Sequence, residues 1–397
     1  MIALGSTNGP AVRLAAALVA VLTFATATRA ASPEWTAVKG APIAGAADIE
    51  HSTWGSARKP GGVFDRIEVH RYRVKGPSIA TLLYLPGTNM NGEVALADED
   101  HNLWIFLARR GVEVFTLDYR TRFSSSSTDA GALASMQAWT TEAFVDDIRA
   151  ASALARAESG REQVYVAGFS RGVFLAYAYV CSEPSAVAGL VALDGQFKSH
   201  VAKGLYDPDA DLKKLESGGT WATDVAGRLG WEGRQKLMMA AAEKPDGPST
   251  DPKFKTIGDQ LSNLLQFAWG PGALANPLGG QSRPDVLGRL LAGYDRYYPA
   301  VQDLDGRRIA DRDDDPRTTV DDLWGEMKTP VLYFGNARMP GDWLLNGIYS
   351  AQKSGSPDVT IHVLDGYGHL DVLVGDHARR DVFEPTLAWI TRRAARP

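Results

Sequence analysis

The chain has 397 residues, 45% hydrophobic and 22% charged, with a formal net charge of −5. That is globular material for one large domain with an insertion or for two domains, and it argues against a disordered chain. The mildly acidic balance gives no reason to expect nucleic acid or an anionic membrane surface as a partner.

Residues 1–30 hold no acid and two bases, Arg13 and Arg29, around the apolar run Leu14 to Phe24. The run is too short to span a bilayer and small residues follow it, so the segment reads as a secretory signal cleaved near Ala27 or Ala30. The expected location is therefore secreted or periplasmic, with no stable membrane insertion after cleavage; an uncleaved anchor or a disordered tail is the alternative. Cys181 is the only cysteine, so no intrachain disulfide can form even in an oxidising compartment. It reads as a buried small hydrophobe.

Residues 31–62, rich in Ala, Gly, Pro and Ser, read as an extended lead-in laid over the domain. FDRIEVHRYRV (64–74) alternates as a half-exposed strand, with His70 as a surface residue of no assigned role. IATLLYLP (79–86) is apolar on both parities, as a central buried strand should be, and the loop GTNMNG (87–92) follows it. A helix is expected within 94–110 and a second buried strand in GVEVFTLDY. Arg120 to Ser127 then form a polar, serine-rich loop that would make a pocket wall, and a helix runs from Thr140 to Glu158. This alternation of strand and helix predicts a parallel sheet with helices on both faces.

QVYVAGFSRGVFLAYAYV (163–180) is strand, tight turn and helix with GFSRG at the turn. This resembles the nucleophile elbow of the α/β hydrolases, in which a strained turn exposes a serine, here Ser170, and small residues at 168 and 172 let strand and helix approach. AVAGLVALDG gives the next strand, ending at Asp194, and for residues 196–328 no convincing strand follows. Helical stretches near 221–243, 254–269 and 284–298 predict a mostly helical cap inserted between two sheet strands. The acidic run DLDGRRIADRDDD (303–315) fails the calcium-loop template, since its twelfth position would be Arg312, and reads as a solvated loop. The sheet resumes at PVLYFGN (330–336) and VTIHVL (359–364), and a helix from about Asp376 closes the chain.

A serine hydroxyl needs a base to take its proton and an acid to hold that base. His369, in GYGH after a late strand, is the histidine placed to be the base; His362 and His377 read as structural. Two acids are eligible, Asp342 after the 330–336 strand and Asp194 after the elbow's neighbour. Asp371, two residues past His369, reads as fixing the loop. The span 64–395 resembles the α/β-hydrolase family, and two C-terminal pieces resemble its acid lipase branch: GDWLLNG (341–347) and GHLDVLVGDHARRDVFEPTLAWI. The resemblance implies an α/β-hydrolase core (63–195 and 329–397) with the cap (196–328) inserted before the acid-bearing strand, and favours Asp342 as the acid with Asp194 as alternative. It also implies oxyanion donors at the N–H groups of Arg171 and Thr88. Pro86 departs from the usual HG-type motif there, and the residues NARMP before GDW are extra. Asn89 and Asn91 are further donors or merely shape the turn.

The expected activity is a serine hydrolase acting on a carboxylic ester, small or lipid, with no metal or organic cofactor. The same triad would serve a peptidase, amidase or thioesterase, and a non-catalytic binding protein on the same scaffold is the remaining alternative.

Overall fold

The computed structural model describes residues 34–38, 40–201, 207–218, 220–269, 281–311 and 315–395. The expected leader at 1–30 lies outside them. The strands are β1 Thr36–Val38, β2 Glu50–Ala57, β3 Arg66–Arg73, β4 Ala80–Leu85, β5 Val112–Asp118, β6 Val164–Phe169, β7 Val187–Leu193, β8 Ala222–Asp224, β9 Tyr297–Pro299, β10 Val331–Asn336 and β11 Val359–Leu364. The helices are α1 Leu103–Ala108, α2 Thr121–Ser124, α3 Ala130–Leu133, α4 Thr141–Ser159, α5 Arg171–Ser182, α6 Pro208–Gly218, α7 Gly230–Glu243, α8 Ile257–Trp269, α9 Pro284–Ala292, α10 Ala300–Asp311, α11 Trp343–Gln352, α12 Asp371–Val374 and α13 Glu384–Ala394. No helix among the described residues is long and apolar enough to cross a membrane.

One sheet of nine strands runs β1-β2-β3-β5-β4-β6-β7-β10-β11. It is parallel from β5 to β11 and antiparallel from β1 to β5. Every residue of β4, β5, β6 and β10 is buried, as runs apolar on both parities require. Alternate residues feed two cores. Leu82 and Tyr84 join Phe106 and Trp389 on one face, while Leu83 and Leu85 join Phe144, Ile148 and Tyr177 on the other.

The structure corrects several expectations. The lead-in is not merely laid over the domain: β1 and β2 extend the sheet, and β2 pairs with β3 along its whole length. That pairing buries His70, which is 4% exposed rather than a surface residue. Only Leu103–Ala108 is helical within 94–110, because Asn102 caps the helix there, accepting from the N–H groups of Trp104 and Ile105. Arg120 to Ser127 contain the short helix α2 and no open loop. Arg120 is buried, bonded to Asp65 (2.6 Å) and Asp147 (2.7 Å), and Ser125 Oγ accepts from the Arg296 N–H (3.1 Å) to hold the inserted segment.

Between β7 and β10 the chain forms α6 to α10 and one small ribbon that periodicity did not reveal, β8 against β9. Residues 303–311, expected in a solvated loop, belong to α10. The charge-rich run hides one buried face, with Leu304 and Ile309 in the interior and Asp305 accepting from the Thr141 N–H at 2.9 Å.

Candidate active site

Two adjacent strand ends build the centre. β6 and β7 lie in register with Phe169 opposite Leu193, so Ser170 and Asp194 leave the sheet side by side. Both have positive φ, 54° and 48°; the only other described non-glycine residue with positive φ is Asn89 in the loop after β4. Three backbone outliers gathered at one sheet edge are what a site held by its surroundings presents. The turn at Ser170 depends on its glycines. A Cβ on Gly168 would meet the Gly172 carbonyl oxygen at 2.2 Å, and one on Gly172 would meet the Leu85 carbonyl oxygen at 2.0 Å.

His369 arrives from the loop after β11. Its Nε2 stands 2.8 Å from Ser170 Oγ and its Nδ1 2.6 Å from Asp194 Oδ2. His369 and Asp194 are fully buried, and Ser170 is 5% exposed. Phe169 packs on the imidazole with centroids 4.7 Å apart, and Trp343 stands edge-on to it at 5.4 Å. Asp371 fixes the loop, accepting from the Gly368 N–H (2.7 Å) and from Ser282 Oγ (2.5 Å). Its carboxyl is pushed up to about 6 by burial, against those hydrogen bonds.

The carboxylate that meets His369 is therefore Asp194, and this geometry corrects the expectation of Asp342. Asp342 is exposed at the cap position of α11 and makes no capping hydrogen bond. The extra residues before GDW carry the chain out through Gly341 (φ 58°) before α11 begins, so Trp343 rather than Asp342 faces the histidine. β10 contributes to the acid differently: the Asn336 N–H donates to Asp194 Oδ1 at 2.9 Å, and Asn336 Nδ2 donates to the Gly368 carbonyl at 2.6 Å. Burial raises the Asp194 carboxyl above the usual range, and the bonds from His369 and Asn336 offset part of that rise. The insertion accordingly follows Asp194 in the chain.

Arg171 is the first residue of α5, so its N–H is one of the donors a helix leaves unpaired at its start. Thr88 lines the same cavity as Ser170, and Gly87 lies so close to the elbow that a Cβ there would meet Ser170 Cβ at 3.2 Å. The Asn89 and Asn91 amides point elsewhere: they donate to the Asp295 carbonyl (3.0 Å) and the Gly293 carbonyl (2.8 Å), tying this loop to the insertion. Four other histidines stand apart from Ser170. His101 pairs with Asp98, His200 bonds Asn346, His362 lies in β11 stacked on Phe334, and His377 is exposed.

The cavity at Ser170 measures about 370 Å³ and is walled by Phe174, Phe197 and Trp343 on the apolar side, with Asp303 and Arg307 of α10 across from them. The Arg171 guanidinium bonds Asp303 at 2.7 Å, and a Cβ on Gly306 would strike it at 2.1 Å. α10 thus closes one side of the cavity through a polar clasp to the elbow.

The alpha/beta hydrolase fold family matches residues 80–376, and the chain belongs to that family. Among solved structures it is similar to a "putative lipase" from Sulfolobus solfataricus, 27% identical over 91% of this chain and 99% of that one, with a TM-score of 0.75. A thermophilic esterase from Thermogutta terrifontis is 17% identical over 85% of this chain and 96% of that one, TM-score 0.46. A carboxyl esterase from Bacillus coagulans is 13% identical over 87% and 99%, TM-score 0.49. No curated protein matches the chain.

Proposed function

We propose that the protein is an exported serine hydrolase that cleaves carboxylic esters, with Ser170 as nucleophile, His369 as base and Asp194 as the acid that orients it. The observation that carries this reading is the continuous chain from Ser170 Oγ through His369 to Asp194, at 2.8 and 2.6 Å, beside a cavity. Its likeness at 27% identity to a protein described as a "putative lipase" supports the ester as substrate. The Ser170 hydroxyl attacks the carbonyl carbon as its proton passes to His369 Nε2, and Asp194 stabilises the imidazolium through Nδ1–H. The N–H groups of Arg171 and Thr88 hold the tetrahedral oxyanion. His369 then gives its proton to the leaving alcohol, and a water activated by the same nitrogen releases the acid. Phe174, Phe197 and Trp343 offer an apolar surface to the acyl or alcohol group.

The test is labelling of the mature protein and of Ser170→Ala with a fluorophosphonate, alongside hydrolysis of p-nitrophenyl esters of increasing chain length. Labelling and turnover that both disappear with Ser170→Ala are the expected result, and the chain-length profile distinguishes short from lipid esters. Labelling without ester turnover moves the substrate to an amide, peptide or thioester; no labelling of the folded protein overturns the reading. Export rests on the apolar segment Leu14 to Phe24, and amino-terminal sequencing of the exported protein is expected to begin just after Ala27 or Ala30.

A further inference from the structure

On the antiparallel side of the sheet lies a cluster of titratable side chains that acyl transfer does not use. Glu68 and His70 sit two residues apart on one face of β3, and the register places Glu68 opposite Asp118 at the end of β5. One ligand atom from each of Glu68, His70 and Asp118 lies within 4.8 Å of the others. His70 Nε2 and Asp118 Oδ2 are already 3.1 Å apart, both residues are buried, and Glu68 is half-buried. None of the three lines the cavity at Ser170.

The outer contacts hold these groups as metal ligands are held. His70 Nδ1 is 3.0 Å from His51 Nε2 and 3.2 Å from Thr53 Oγ1, so a proton on Nδ1 has an acceptor, and Nε2, which donates to Asp118 Oδ2 in the ion-free protein, can give up its proton to a metal. The Gly92 N–H donates to Asp118 Oδ1 at 2.5 Å, which occupies one carboxylate oxygen and leaves the other to the cluster. Charge favours a cation as well. Glu93 adds a third carboxylate nearby, and among the described residues Arg122 is the one arginine or lysine in ion-pair contact with the group, 3.8 Å from Asp118 and 2.5 Å from Glu93. Arg66, the next cation along, is exposed and lies over the Phe123 ring. Glu68, Asp118 and Glu93 thus gather carboxylates in a half-buried place with few cations beside them, which a divalent ion offsets.

We propose that Glu68, His70 and Asp118 bind a divalent metal ion of the zinc class, with water completing its coordination. Imidazole beside carboxylates suits zinc and its neighbours rather than calcium or magnesium, which take oxygen ligands. Bonds of about 2.0–2.2 Å need ligand atoms roughly 3.3 Å apart, a closure that the long Glu68 side chain supplies. The sequence reading expected no metal, since the chemistry needs none; this ion stands outside the reaction. It ties β3 to β5, and through Asp118 and the Gly92 N–H it braces the loop that carries Thr88. The Gly92 carbonyl is held from the same side, by Thr116 Oγ1 at 2.6 Å and Tyr72 OH at 2.9 Å.

The experiment is calorimetric titration of the EDTA-treated full chain with zinc chloride, with thermal unfolding before and after addition. One ion per chain and a Tm raised by several degrees, reversed by EDTA, are expected. Glu68→Gln, isosteric and half-exposed, is expected to fold as the parent does by circular dichroism and to bind zinc more than about tenfold more weakly, beyond the loss an outer-shell partner alone causes at the low end. X-ray absorption at the zinc edge is expected to report nitrogen and oxygen neighbours without sulfur. Absence of stoichiometric binding, binding of calcium in preference to zinc, or affinity unchanged in Glu68→Gln each overturns the site. His70→Asn serves as a second variant where it folds, and Glu68→Gln decides alone where it does not. Ser170→Ala is expected to bind zinc like the parent, so loss of this site and loss of the hydrolase reading are separate outcomes.

Discussion

Asp194→Asn is the sharpest test of the site, because the surrounding donors dictate how the new amide must sit. The Asn336 N–H, 2.9 Å from Oδ1, draws the amide oxygen of an asparagine to that position. The amide nitrogen then falls on His369 Nδ1, where Oδ2 stood at 2.6 Å, and presents a donor to it. Nδ1 must become the acceptor and the imidazole proton moves to Nε2, so that nitrogen no longer takes the Ser170 proton. Loss of the correct tautomer in a triad lowers kcat by about 10⁴, or ~5.4 kcal/mol of barrier. The exposed Asp342, with no contact to the histidine, is expected to change kcat less than about twofold as Asp342→Asn, within the range of ordinary surface substitutions. Steady-state hydrolysis of one p-nitrophenyl ester by the two variants, with KM held near the parent value, reads the comparison. A larger loss in Asp342→Asn, or an Asp194→Asn enzyme within tenfold of the parent, would refute the assignment of the acid.

Three further outcomes follow from packing and burial. Gly172→Ala sets a methyl 2.0 Å from the Leu85 carbonyl oxygen, so β4 or α5 must shift; a loss of about 3 kcal/mol is expected, read as a lower urea midpoint, and an unchanged midpoint would show that the two backbones do not pack as described. Cys181 is buried with its thiol pushed up to about 12 by burial, so a maleimide is expected to label it only after denaturation; rapid labelling of the native protein would contradict its position on α5. The Asp295 carboxyl, pushed up to about 8 chiefly by burial, keeps a proton that the unfolded chain releases near pH 4. The folded state therefore loses stability as pH rises from about 4 to about 8, at up to ~1.4 kcal/mol per pH unit, and levels off above. Asp295→Asn is expected to flatten that profile in denaturant titrations from pH 5 to 9, and a profile identical to the parent's would place the titration elsewhere.

The parts of this molecule that could be read from its sequence are those whose constraints are local. β4, β5, β6 and β10 are buried on both faces and so carry unbroken apolar runs. The elbow announces itself because two glycines must sit where backbone touches backbone. His369 stood out as the histidine in a glycine-flanked loop after a late strand. What stayed hidden depended on neighbours remote in the chain. Which carboxylate meets His369 is decided by sheet order: β7 lies beside β6 and brings Asp194 next to Ser170, whereas the loop after β10 turns away. His70 looked exposed because β2, polar and without a strong period, gave no sign that it would cover β3. In α10 charged residues outnumber the few apolar positions that reach the interior, so its helical face was masked.

The order of the proposed catalytic residues along the chain has a consequence for how such a protein can diversify. Ser170 and Asp194 are encoded by one uninterrupted strand, helix and strand, and the long segment before β10 begins only after both are in place. Gene exchange or grafting in that segment therefore rewrites the wall facing Ser170 without cutting between Ser170 and Asp194. His369 answers to the β10 and β11 scaffold, and a new segment must still match the old framework where Ser282 meets Asp371, Asp295 meets the loop after β4 and Asp303 meets Arg171.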